Sequence, residues 1–492
     1  MPELAKDESA SSDALGRPTR AAETSLTPEW RDYFLRLVQN PLRFSGPRNY
    51  LGRDMRSAMR RLVPQDAKVL EVGTGKGDLL AELPNARRHG IDVLPEAVAA
   101  TRARDSKVSV EQADALTFAS SERYDAVICD RLCHSIPDVQ KLLANLAEHL
   151  SADGRIFLTC FNFIWAIPLL LAAKLGFYEK APEQNWLSES DFENLFALAG
   201  VEVVHSEDRI LVPLRIPLLD FFLNRFLAKL PPWRFFSLYR IYVLRPRIVA
   251  RPVPKVTVIV PARNESGNIQ GAIDRTPVMG SGTELIFVEG NSTDDTYARI
   301  EQGIRDYKGP LQLSLHKQPG KGKGDACRVG YAKATGDLVL ILDADLTVPP
   351  EDLPKFYDVM VRGLADYVHG TRMLYPMEQG AMRFLNKLGN ATFAKIFSFV
   401  LDKPIQDTLC GTKVLWRKDY ERIAANRAYF GDFDPFGDFD LIFGASKLNL
   451  KIMEIPIRYK NRTYGETNIS RFRDGFLLLR MSIFAARKLK FV

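Results

Sequence analysis

Two apolar strand segments, one in each half of the chain, run directly into sequences that carry chemistry. The first, "VLEVGTGKGDLL" (69–80), leads into a glycine-rich turn, and the second, "LVLILDADLT" (338–347), ends in two carboxylates. Continuous apolar strands are typical of parallel sheets that are buried on both faces, and ligands of such sheets bind beyond the carboxyl ends of the strands. We therefore expect two α/β units, each with a site of its own.

The length of 492 residues agrees with two domains, because a single hydrophobic core rarely organises more than about 300 residues. Apolar residues make up 46% and charged residues 26%, as in ordinary globular proteins. The formal net charge of +7 favours anionic partners such as nucleotide phosphates, acidic lipids or nucleic acid. Five scattered cysteines indicate neither a disulfide framework nor a zinc site and fit a reducing cytoplasm.

We divide the chain into five segments. Residues 1–47 comprise a tail and a lead-in; the first 25 lack the basic start and the apolar run of a secretory signal, so we expect them to be a disordered tail. Alternating strand and helix patterns predict one domain over 48–205 and a second over 253–470. A basic, aromatic bridge of residues 206–252 joins them, and residues 471–492 are expected to form an amphipathic C-terminal helix.

The first domain has apolar strand patterns separated by helical segments, at "KVLEVG", "RHGIDV", "VSVEQAD", "YDAVICD" and "GRIFLTCF". This alternation predicts a doubly wound parallel sheet. The uncharged stretch 156–173 reaches the lower length limit of a membrane span, but it contains Thr159, Asn162 and Pro168 and begins after a turn. We expect two shorter elements there.

Glu71 lies near the end of the first strand, and Gly73, Gly75 and Gly77 follow it. Glycines allow a sharp turn and bring backbone N–H groups close to a ligand at the N-terminus of the next helix. A dinucleotide-binding fingerprint needs its third glycine one place later, where Asp78 stands. The pattern therefore does not favour NAD.

This segment resembles motif I of the class I S-adenosylmethionine-dependent methyltransferases, and the resemblance covers residues 48–205. It implies a Rossmann-like fold with S-adenosyl-L-methionine as cofactor. By this likeness, the loop from Gly73 to Gly77 holds the methionine part of the cofactor. Asp92 accepts hydrogen bonds from the ribose hydroxyls, and Asp114 lies near the adenine.

The segment "CDRLCHSIPD" after the fourth strand places Asp130 and His134 near the expected cofactor. Methyl transfer to a hydroxyl needs a base, and His134 is a candidate for that role. The alternative is a loop or core histidine with no part in catalysis. The sequence does not indicate the methyl acceptor.

Within the bridge, "LLDFFLNRFLAKL" places an apolar stripe on one helical face, with Asn224 and Arg225 on the opposite face; the stripe consists of Leu219, Phe222, Leu223, Phe226, Leu227 and Leu230. Such a basic, aromatic segment can lie in a membrane interface, or it can pack one domain on the other. It lacks a recognised reader motif, so no nucleic-acid partner is expected.

The second domain has strand patterns at "KVTVIVPA", "ELIFVEG", "LQLSLHK", "DLVLILDAD", "DYVHGTR" and "KIMEIPIRY". Asp343 and Asp345 follow its most apolar strand. Residues two apart in a strand point to the same side, so both carboxylates can face one site. Oxygen ligands of this kind suit Mg²⁺ or Mn²⁺, which would neutralise a diphosphate.

The two carboxylates occur together with "VIVPARNE", "VEGNSTDDT" and "KQPGKGKGDACRVGYAKATGD", in this order along the chain. The combination resembles the family-two glycosyltransferases of the GT-A fold, most closely the dolichol-phosphate mannose synthase-like enzymes that glycosylate a polyprenyl phosphate. The resemblance covers residues 254–470 and implies a nucleotide-sugar donor and inverting transfer.

Site residues follow from this resemblance position by position. Those implied at the nucleotide are Pro261, Ala262, Arg263, Asn264, Glu265, Glu289, Lys323 and Asp325, with Glu289 standing where many relatives have aspartate. Asp343 and Asp345 are implied to serve the metal and the sugar diphosphate. Arg372 and Arg383 are implied to meet the donor and acceptor phosphates. Asp407 and Gly411 match the D-x-x-x-G segment that follows in the family.

Asp438 and Asp440 leave the acceptor open. In relatives that glycosylate a hydroxyl, an acid near this position acts as general base, whereas a phosphate acceptor is already ionised and needs none. The acceptor is therefore either a polyprenyl phosphate or a hydroxyl of a growing glycan. The first domain is likewise either a methyltransferase or a non-catalytic binding module.

At the C-terminus, Arg473, Arg480 and Arg487 recur every seven residues and share one helical face. We interpret this segment as an interfacial helix that touches anionic lipid, the alternative being a helix packed on the domain. The sequence as a whole predicts a bifunctional enzyme, cytoplasmic and peripheral at the inner face of a membrane.

Overall fold

The computed structural model describes residues 25–39, 50–175, 180–213, 216, 218–376, 384–427, 437, 439–462, 464 and 471–491. Two predicted site residues, Arg383 and Asp438, lie outside these ranges, as do residues 1–24 and 40–49 of the N-terminal region.

The lead-in to the first domain contains a helix, α1 (Pro28–Gln39). Its apolar side chains recur three and four residues apart, so they form one stripe along the helix. Trp30 and Tyr33 of this stripe are buried. The lead-in therefore contains a helix with a partly buried apolar stripe.

The first domain is built around a mixed sheet with helices on both faces. Its strands are β1 (Val69–Val72), β2 (Arg88–Asp92), β3 (Ser109–Gln112), β4 (Tyr124–Asp130), β5 (Leu150–Phe161), β6 (Val201–Arg209) and β7 (Tyr239–Pro246). The helices are α2 (Tyr50–Leu62), α3 (Asp78–Glu82), α4 (Pro95–Arg104), α5 (Val139–Glu148), α6 (Ala166–Lys174), α7 (Glu189–Leu198) and α8 (Leu219–Arg225). The strand order is β3-β2-β1-β4-β5-β7-β6, and β7 runs antiparallel to both of its neighbours.

The position of β7 corrects the predicted bridge of residues 206–252. The strand lies between β5 and β6, and its residues Ile241, Val243 and Leu244 are fully buried. The first fold therefore extends to Pro246. The remaining bridge contains α8 and short helical turns at Leu227–Lys229 and Trp233–Phe236.

Helix α8 buries Asn224 and leaves Leu219 and Phe222 of its apolar stripe exposed. Asn224 is buried, its side-chain oxygen accepts from the backbone N–H groups of Leu211 and Val212, both at 2.8 Å, and its amide donates to the carbonyl of Val212. These bonds hold Asn224 inward, while its neighbour Arg225 is exposed. Phe221 and Phe222 are consequently exposed.

The second domain is a further mixed sheet covered by helices. Its strands are β8 (Val256–Ala262), β9 (Thr283–Glu289), β10 (Gln312–Lys317), β11 (Leu338–Ile341), β12 (Tyr367–Thr371), β13 (Lys413–Trp416) and β14 (Ile452–Pro456). The helices are α9 (Ile269–Arg275), α10 (Thr296–Asp306), α11 (Lys323–Lys333), α12 (Leu353–Val361), α13 (Phe384–Leu401), α14 (Arg417–Ala425), α15 (Phe439–Lys447) and α16 (Arg471–Ala485). The strand order is β10-β9-β8-β11-β13-β12-β14, and β13 is antiparallel to β11 and β12.

The stretch 156–173 forms the end of β5 and most of α6, so the expectation of two shorter elements is confirmed. Among the helices within the described residues, none combines the length and the apolar character that a bilayer crossing requires.

A buried charge cluster ties the two domains together. Asp366, just before β12, accepts from the guanidinium groups of Arg155 at 3.1 Å, Arg245 at 2.6 Å and Arg251 at 2.6 Å. Arg155 lies on β5 and Arg245 on β7, so both reach across from the first sheet. The backbone N–H of Lys451 also donates to Asp366 at 3.0 Å. The domain boundary is thus a packed, charge-paired surface.

Candidate active sites

The glycine-rich turn between β1 and α3 adopts a conformation that few other residues tolerate. The φ angles of Gly73, Gly75 and Gly77 are 80°, 54° and 72°. A Cβ on Gly77 would lie 2.9 Å from the backbone Cα of Thr101, so this position also requires the absence of a side chain. The backbone here is shaped for close approach of a ligand.

The predicted acids meet at this turn. Asp92, at the end of β2, accepts from the backbone N–H groups of Gly75 and Leu94, each at 2.9 Å. Asp114 accepts from Leu116 at 2.8 Å and from Ser25, just before α1, at 2.6 Å. The predicted residues Glu71, Gly73, Gly75, Asp92, Asp114, Asp130 and His134 all line one cavity of about 1100 Å³.

The electrostatics of this cavity favour a cationic ligand. Glu71 is buried, and its Oε2 has no hydrogen-bond partner within the described residues. Burial, together with the nearby carboxylates of Asp130 and Asp92, raises the pKa of Glu71 well above its ordinary value. A positively charged group placed here would relieve this repulsion. S-adenosylmethionine, with its sulfonium and ammonium groups, fits these residues.

Asp130 is already paired. Burial opposes its ionisation, but Arg131 outweighs burial and lowers the pKa of Asp130 below its ordinary value. Its oxygens accept from Arg131 at 2.7 Å and from the hydroxyl of Thr159. Asp130 therefore contributes a fixed negative charge to the wall of the cavity.

His134 does not have the geometry of a catalytic base. Its Nδ1 bonds the carbonyl of Asn185 at 2.8 Å, and its Nε2 accepts from the backbone N–H of Phe161 at 2.8 Å. Burial lowers the pKa of His134 to about 4. Both ring nitrogens are occupied, so we correct the expectation of a base and assign His134 a structural role.

The two carboxylates of the second domain lie in the turn after β11, not in the strand itself, which ends at Ile341. Each is paired with a different cation. Asp343 bonds the ammonium of Lys323, and Asp345 bonds Arg462 at 2.6 Å. Burial opposes ionisation of Asp343, but Lys323 outweighs it and lowers the pKa of Asp343 below its ordinary value. Both carboxylates are therefore held at the edge of the sheet next to a positive charge.

A divalent metal fits this pair. Across the residues that the structure describes, no three His, Cys, Asp or Glu side chains are grouped as a metal cage. Mg²⁺ does not need one, because it is usually bound by one or two carboxylates together with waters and substrate phosphates. Asp343 and Asp345 would be enough protein ligands for Mg²⁺ once the side chains of Lys323 and Arg462 move away from the carboxylates.

The residues predicted at the nucleotide gather at the same edge of the sheet. Pro261 and Ala262 end β8, and Ala262 is paired with Glu289 at the end of the parallel strand β9. Glu289 is buried and accepts from the backbone N–H of Ser292 at 2.5 Å. The next residue after Ala262 is Arg263, whose side chain is exposed. These positions lie where ligands of such sheets bind.

The glycine-rich turn before α11 is closed by its own side chains. Asp325 accepts from the backbone N–H of Gly320 at 2.9 Å, and Gln318 donates to the carbonyl of Gly322 at 2.9 Å. Lys323, the first residue of α11, is thereby aimed at Asp343. Gln318 was not predicted, although it stands in the same segment.

Arg372, which was predicted to contact phosphate, is paired with Asp407. The guanidinium of Arg372 donates to Asp407 at 2.6 and 2.8 Å, and its backbone N–H donates at 3.0 Å. Asp407 is fully buried and also accepts from Asn390 and Leu409. The carboxylate is saturated by these donors, so we correct its predicted substrate contact. The pair anchors the loop that carries Gly411.

Gly411 is essential to the shape of the site. A Cβ at this position would lie 1.8 Å from Oδ2 of Asp343 and 2.5 Å from the ammonium of Lys323. The backbone of residue 411 therefore packs directly on the paired charges. This explains why the D-x-x-x-G segment requires glycine.

Asp440 lies at the start of α15 and is buried. Its Oδ2 is 3.5 Å from Arg328 and 3.3 Å from Arg427. The carboxylate is thus engaged by two guanidinium groups. This pairing argues against Asp440 as a general base.

Arg462 is a site residue that the sequence analysis missed. It bonds Asp345 at 2.6 Å and Glu265 at 3.3 Å, and so connects two predicted positions. Burial raises the pKa of Glu265 to about 7, against the opposing effect of Arg462. The available signal was an arginine in the "NRTYG" loop shortly after the last strand pattern.

Comparison with known families matches the two halves separately. Residues 44–206 match the model described as "Methyltransferase domain", and residues 257–424 match "Glycosyl transferase family 2". The chain thus carries a methyltransferase domain followed by a family 2 glycosyltransferase domain. Both domains have the α/β folds expected from the sequence, Rossmann-like in the first half and GT-A in the second.

Several curated relatives are named as sugar transferases. Glycosyltransferase AglJ of Haloferax volcanii is 28% identical over 46% of this chain and 71% of its own length. Dolichol-phosphate mannosyltransferase of Pyrococcus furiosus is 26% identical over 44% of this chain and 59% of its own. Undecaprenyl-phosphate 4-deoxy-4-formamido-L-arabinose transferase of Klebsiella pneumoniae is 28% identical over 45% of this chain. The chain spans 64% of that last relative's length.

Solved structures resemble each half as well. A S-adenosylmethionine-dependent methyltransferase of Thermotoga maritima, described as a possible histamine N-methyltransferase, has 14% identity and a TM-score of 0.34 over 44% of this chain and 98% of its own. Glucosyl-3-phosphoglycerate synthase of Mycobacterium tuberculosis has 20% identity and a TM-score of 0.35 over 48% of this chain and 80% of its own.

Proposed function

We propose that the second domain transfers a sugar, with inversion, from a nucleotide-sugar donor to a polyprenyl phosphate. We further propose that the first domain transfers a methyl group from S-adenosylmethionine to a separate acceptor. The observation that carries the first proposal is the carboxylate couple Asp343 and Asp345, held beside Lys323 and Arg462 at the carboxyl edge of the sheet. Opposite charges in this arrangement suit a metal-bound diphosphate.

In this proposal Asp343 and Asp345 would hold Mg²⁺ or Mn²⁺, which neutralises the diphosphate leaving group. Lys323 and Arg462 supply two further positive charges next to the carboxylates. Pro261, Ala262 and Glu289 would border the nucleoside, because they end two neighbouring parallel strands at this edge.

Two observations favour a phosphate acceptor. Two of the relatives above are named for transfer to dolichol phosphate or undecaprenyl phosphate. Asp440, a candidate base for a hydroxyl acceptor, is paired with arginines. An ionised phosphate oxygen needs no base to become a nucleophile. The alternative acceptor is a hydroxyl of a growing glycan.

The test is to incubate the purified chain with a panel of nucleotide sugars, Mg²⁺ or Mn²⁺ and a short-chain polyprenyl phosphate. We expect lipid-linked sugar from the wild type, none from Asp345→Asn, and full activity from Asp306→Asn, which alters an exposed carboxylate on α10. The Asp438→Asn and Asp440→Asn variants should retain transfer to the phosphate. The alternative would be established if the wild type transferred sugar only to the hydroxyl of an added glycan and either of these two variants lost that transfer.

The proposal for the first domain is supported by the unpartnered oxygen of Glu71 and by the acids around the glycine turn. Calorimetry with S-adenosylmethionine tests it. We expect binding by the wild type and weak or no binding by Asp92→Ala, which removes the carboxylate that fixes Gly75. No binding by the wild type would leave a non-catalytic module as the better description.

Peripheral contact with a membrane is part of the proposal. Exposed apolar side chains gather on α6, on residues 218–236 and on α16, and we call this surface the apolar face; it includes Phe163, Ile167, Leu171, Leu218, Phe221, Phe222, Trp233, Phe235, Phe236, Phe476, Leu479 and Ile483. Hydrogen bonds join two of these segments: Asn162 donates to the carbonyl of Phe235 at 2.8 Å, and Trp165 to that of Phe236 at 2.9 Å. The rings of Phe226 and Phe491 are 5.2 Å apart and connect the C-terminal segment, which contains α16, with residues 218–236.

We propose an anionic bilayer as the occupant of the apolar face. Exposed Arg480, Arg487 and Lys488 lie on or next to α16, and exposed Lys174 and Arg225 end α6 and α8. Apolar side chains rimmed by cations are typical of interfacial helices on acidic lipid. The side chain of Arg473 lies outside the described residues.

Sedimentation with lipid vesicles tests this contact. The wild type should bind vesicles that contain phosphatidylglycerol and should bind neutral vesicles less. Changing Phe221 and Phe222 together to serine should reduce binding, whereas Leu198→Ser, at an exposed leucine of α7 outside the apolar face, should not. Equal binding by both variants would contradict this assignment.

A further inference from the structure

The cavity of the first domain is large for a small-molecule site. Its volume of about 1100 Å³ lies above the range of roughly 300 to 1000 Å³ that is usual for small-molecule pockets. The glycine turn and the acids occupy one part of its wall. Most of the remaining wall is apolar, although Arg56, Ser135 and Gln184 also line it.

One apolar wall is helix α1. Trp30, Phe34, Leu37 and Val38 line the cavity, and their spacing of three and four residues places them on one helical face. Trp30 stacks on Phe34 with ring centroids 5.2 Å apart. Within the described residues, the core clusters on the two sides of the first sheet contain no side chain of α1. The stripe therefore forms a wall of the cavity and lies outside these two core clusters.

Helices α2 and α6 supply further apolar wall. Leu51 and Met55 of α2 and Leu169 and Ala172 of α6 line the cavity. Other side chains of α6 belong to the apolar face, where Ile167 is 70% exposed. A single helix thus contacts the cavity with some side chains and presents apolar groups to the surface with others.

We propose that the apolar part of this cavity holds a hydrocarbon chain of the methyl acceptor, so that the first domain methylates an amphipathic lipid and not a free sugar or nucleotide. This inference rests on the proposed methyltransferase function. Burying a chain against these walls gains about 0.8 kcal/mol for each CH₂ group, whereas a polar acceptor gains nothing from them. Because the neighbouring apolar face is proposed to contact a bilayer, a lipid substrate would be available close to the cavity.

The reaction balances without a further reactant. A bond forms between the methyl carbon and an oxygen or nitrogen of the lipid head group as the carbon–sulfur bond breaks. The electron pair of that bond stays on sulfur, and the proton of the acceptor passes to solvent.

Photolabelling of the full chain tests the inference. The probes are a diazirine-bearing farnesol analogue and a diazirine-bearing hexadecanol, which distinguish an isoprenoid from a straight acyl-type chain. Both lack a phosphate, so the phosphate site proposed for the second domain does not attract them. S-adenosylhomocysteine is present at saturation to fill the cofactor end. We expect labelled peptides from α1 and α6 with at least one of the probes.

Ala172→Phe fills the cavity from α6 and should reduce this labelling about tenfold, which corresponds to roughly 1.4 kcal/mol of lost chain burial. Ala173→Phe is the matched control, since Ala173 is the next residue of the same helix and does not line the cavity. Labelling confined to the apolar face, or an equal effect of the two variants, would overturn the inference.

Calorimetry with S-adenosylhomocysteine separates this failure from failure of the proposed function. If the wild type and Ala172→Phe both bind it while the probes do not label the cavity, the lipid inference falls and the methyltransferase proposal stands. If the wild type does not bind it, the proposed function falls and the inference with it.

Discussion

Changing Asp366 to asparagine removes a buried negative charge that three arginines share. Arg245 is 1% exposed in its side chain and Arg155 10%, so neither can turn to water. Removing one partner of a buried ion pair typically costs about 3 to 5 kcal/mol, because an uncompensated charge is left behind. Arg245 keeps a bond to Glu202 at 2.7 Å, which offsets part of the loss. We expect the free energy of unfolding to fall by roughly 3 kcal/mol.

The assay is urea denaturation of the full chain followed by fluorescence and circular dichroism. Asp153→Asn is the matched control, since Asp153 also pairs across the domain boundary, with Lys418 at 2.6 Å, but both side chains are nearly half exposed. Such a pair contributes at most about 1 kcal/mol. If Asp366→Asn costs no more than Asp153→Asn, the view that the buried cluster locks the domains together is refuted.

The pH dependence gives a second readout of the same residue. Burial opposes ionisation of Asp366, but Arg155 and Arg245 outweigh it and lower its pKa below the ordinary value. The stability that this carboxylate contributes is therefore fully present above the pKa of unfolded aspartate, about 3.9, and is lost as the pH falls through the lower folded-state pKa. The Asp366→Asn variant should lack this part of the acid-induced loss.

Three further changes probe single contacts of the two sites. In the wild type, calorimetry should show that the affinity for S-adenosylmethionine rises with pH. The raised pKa of Glu71 keeps its carboxyl protonated at low pH, and a cation prefers the ionised form. The Glu71→Gln variant should show no such rise. Gly411→Ala should abolish sugar transfer in the nucleotide-sugar assay while S-adenosylmethionine binding persists, because its Cβ would meet Asp343 at 1.8 Å. Asp407→Asn should lower the free energy of unfolding in urea by roughly 3 to 5 kcal/mol, since it leaves the guanidinium of Arg372 unpaired.

The Gly411→Ala substitution has a matched control, and each of the three substitutions has a result that would contradict its explanation. Gly389→Ala is the control for Gly411→Ala, because a Cβ on Gly389 meets nothing within 4 Å. An active Gly411→Ala enzyme would show that the backbone there can move. A pH-independent wild-type affinity would mean that Glu71 is not the group that titrates. A stable Asp407→Asn protein with weakened donor binding would restore the substrate contact first predicted for that residue.

Much of the fold was readable because strand signals are local. The segments proposed as strands in both halves correspond to β1–β5, β8–β12 and β14. The glycine turn was equally readable, since three positions with positive φ need glycine whatever surrounds them. The carboxylate couple was also recognisable, because two acids directly after an apolar strand are confined to the edge of the sheet.

Strands β6, β7 and β13 were not found, for a physical reason. Their sequences interleave charged residues with apolar ones or are very short. In β7, Arg240 is neutralised by Asp208 at 2.7 Å and Arg245 by Asp366 of the other domain at 2.6 Å. A strand that depends on such distant counter-charges is not recognisable from its own residues.

The sequence by itself determined the two α/β units, the two ligand edges and the residue types gathered there, because each follows from backbone geometry and burial over a few neighbouring residues. Only the tertiary structure decided which charge meets which. In the folded chain both ring nitrogens of His134 are hydrogen-bonded, and Arg372 pairs with Asp407. Arg462 contacts Asp345, which is 117 residues away in sequence. Electrostatic pairing depends on distance in space, and that distance is set only when segments far apart in the chain have packed together.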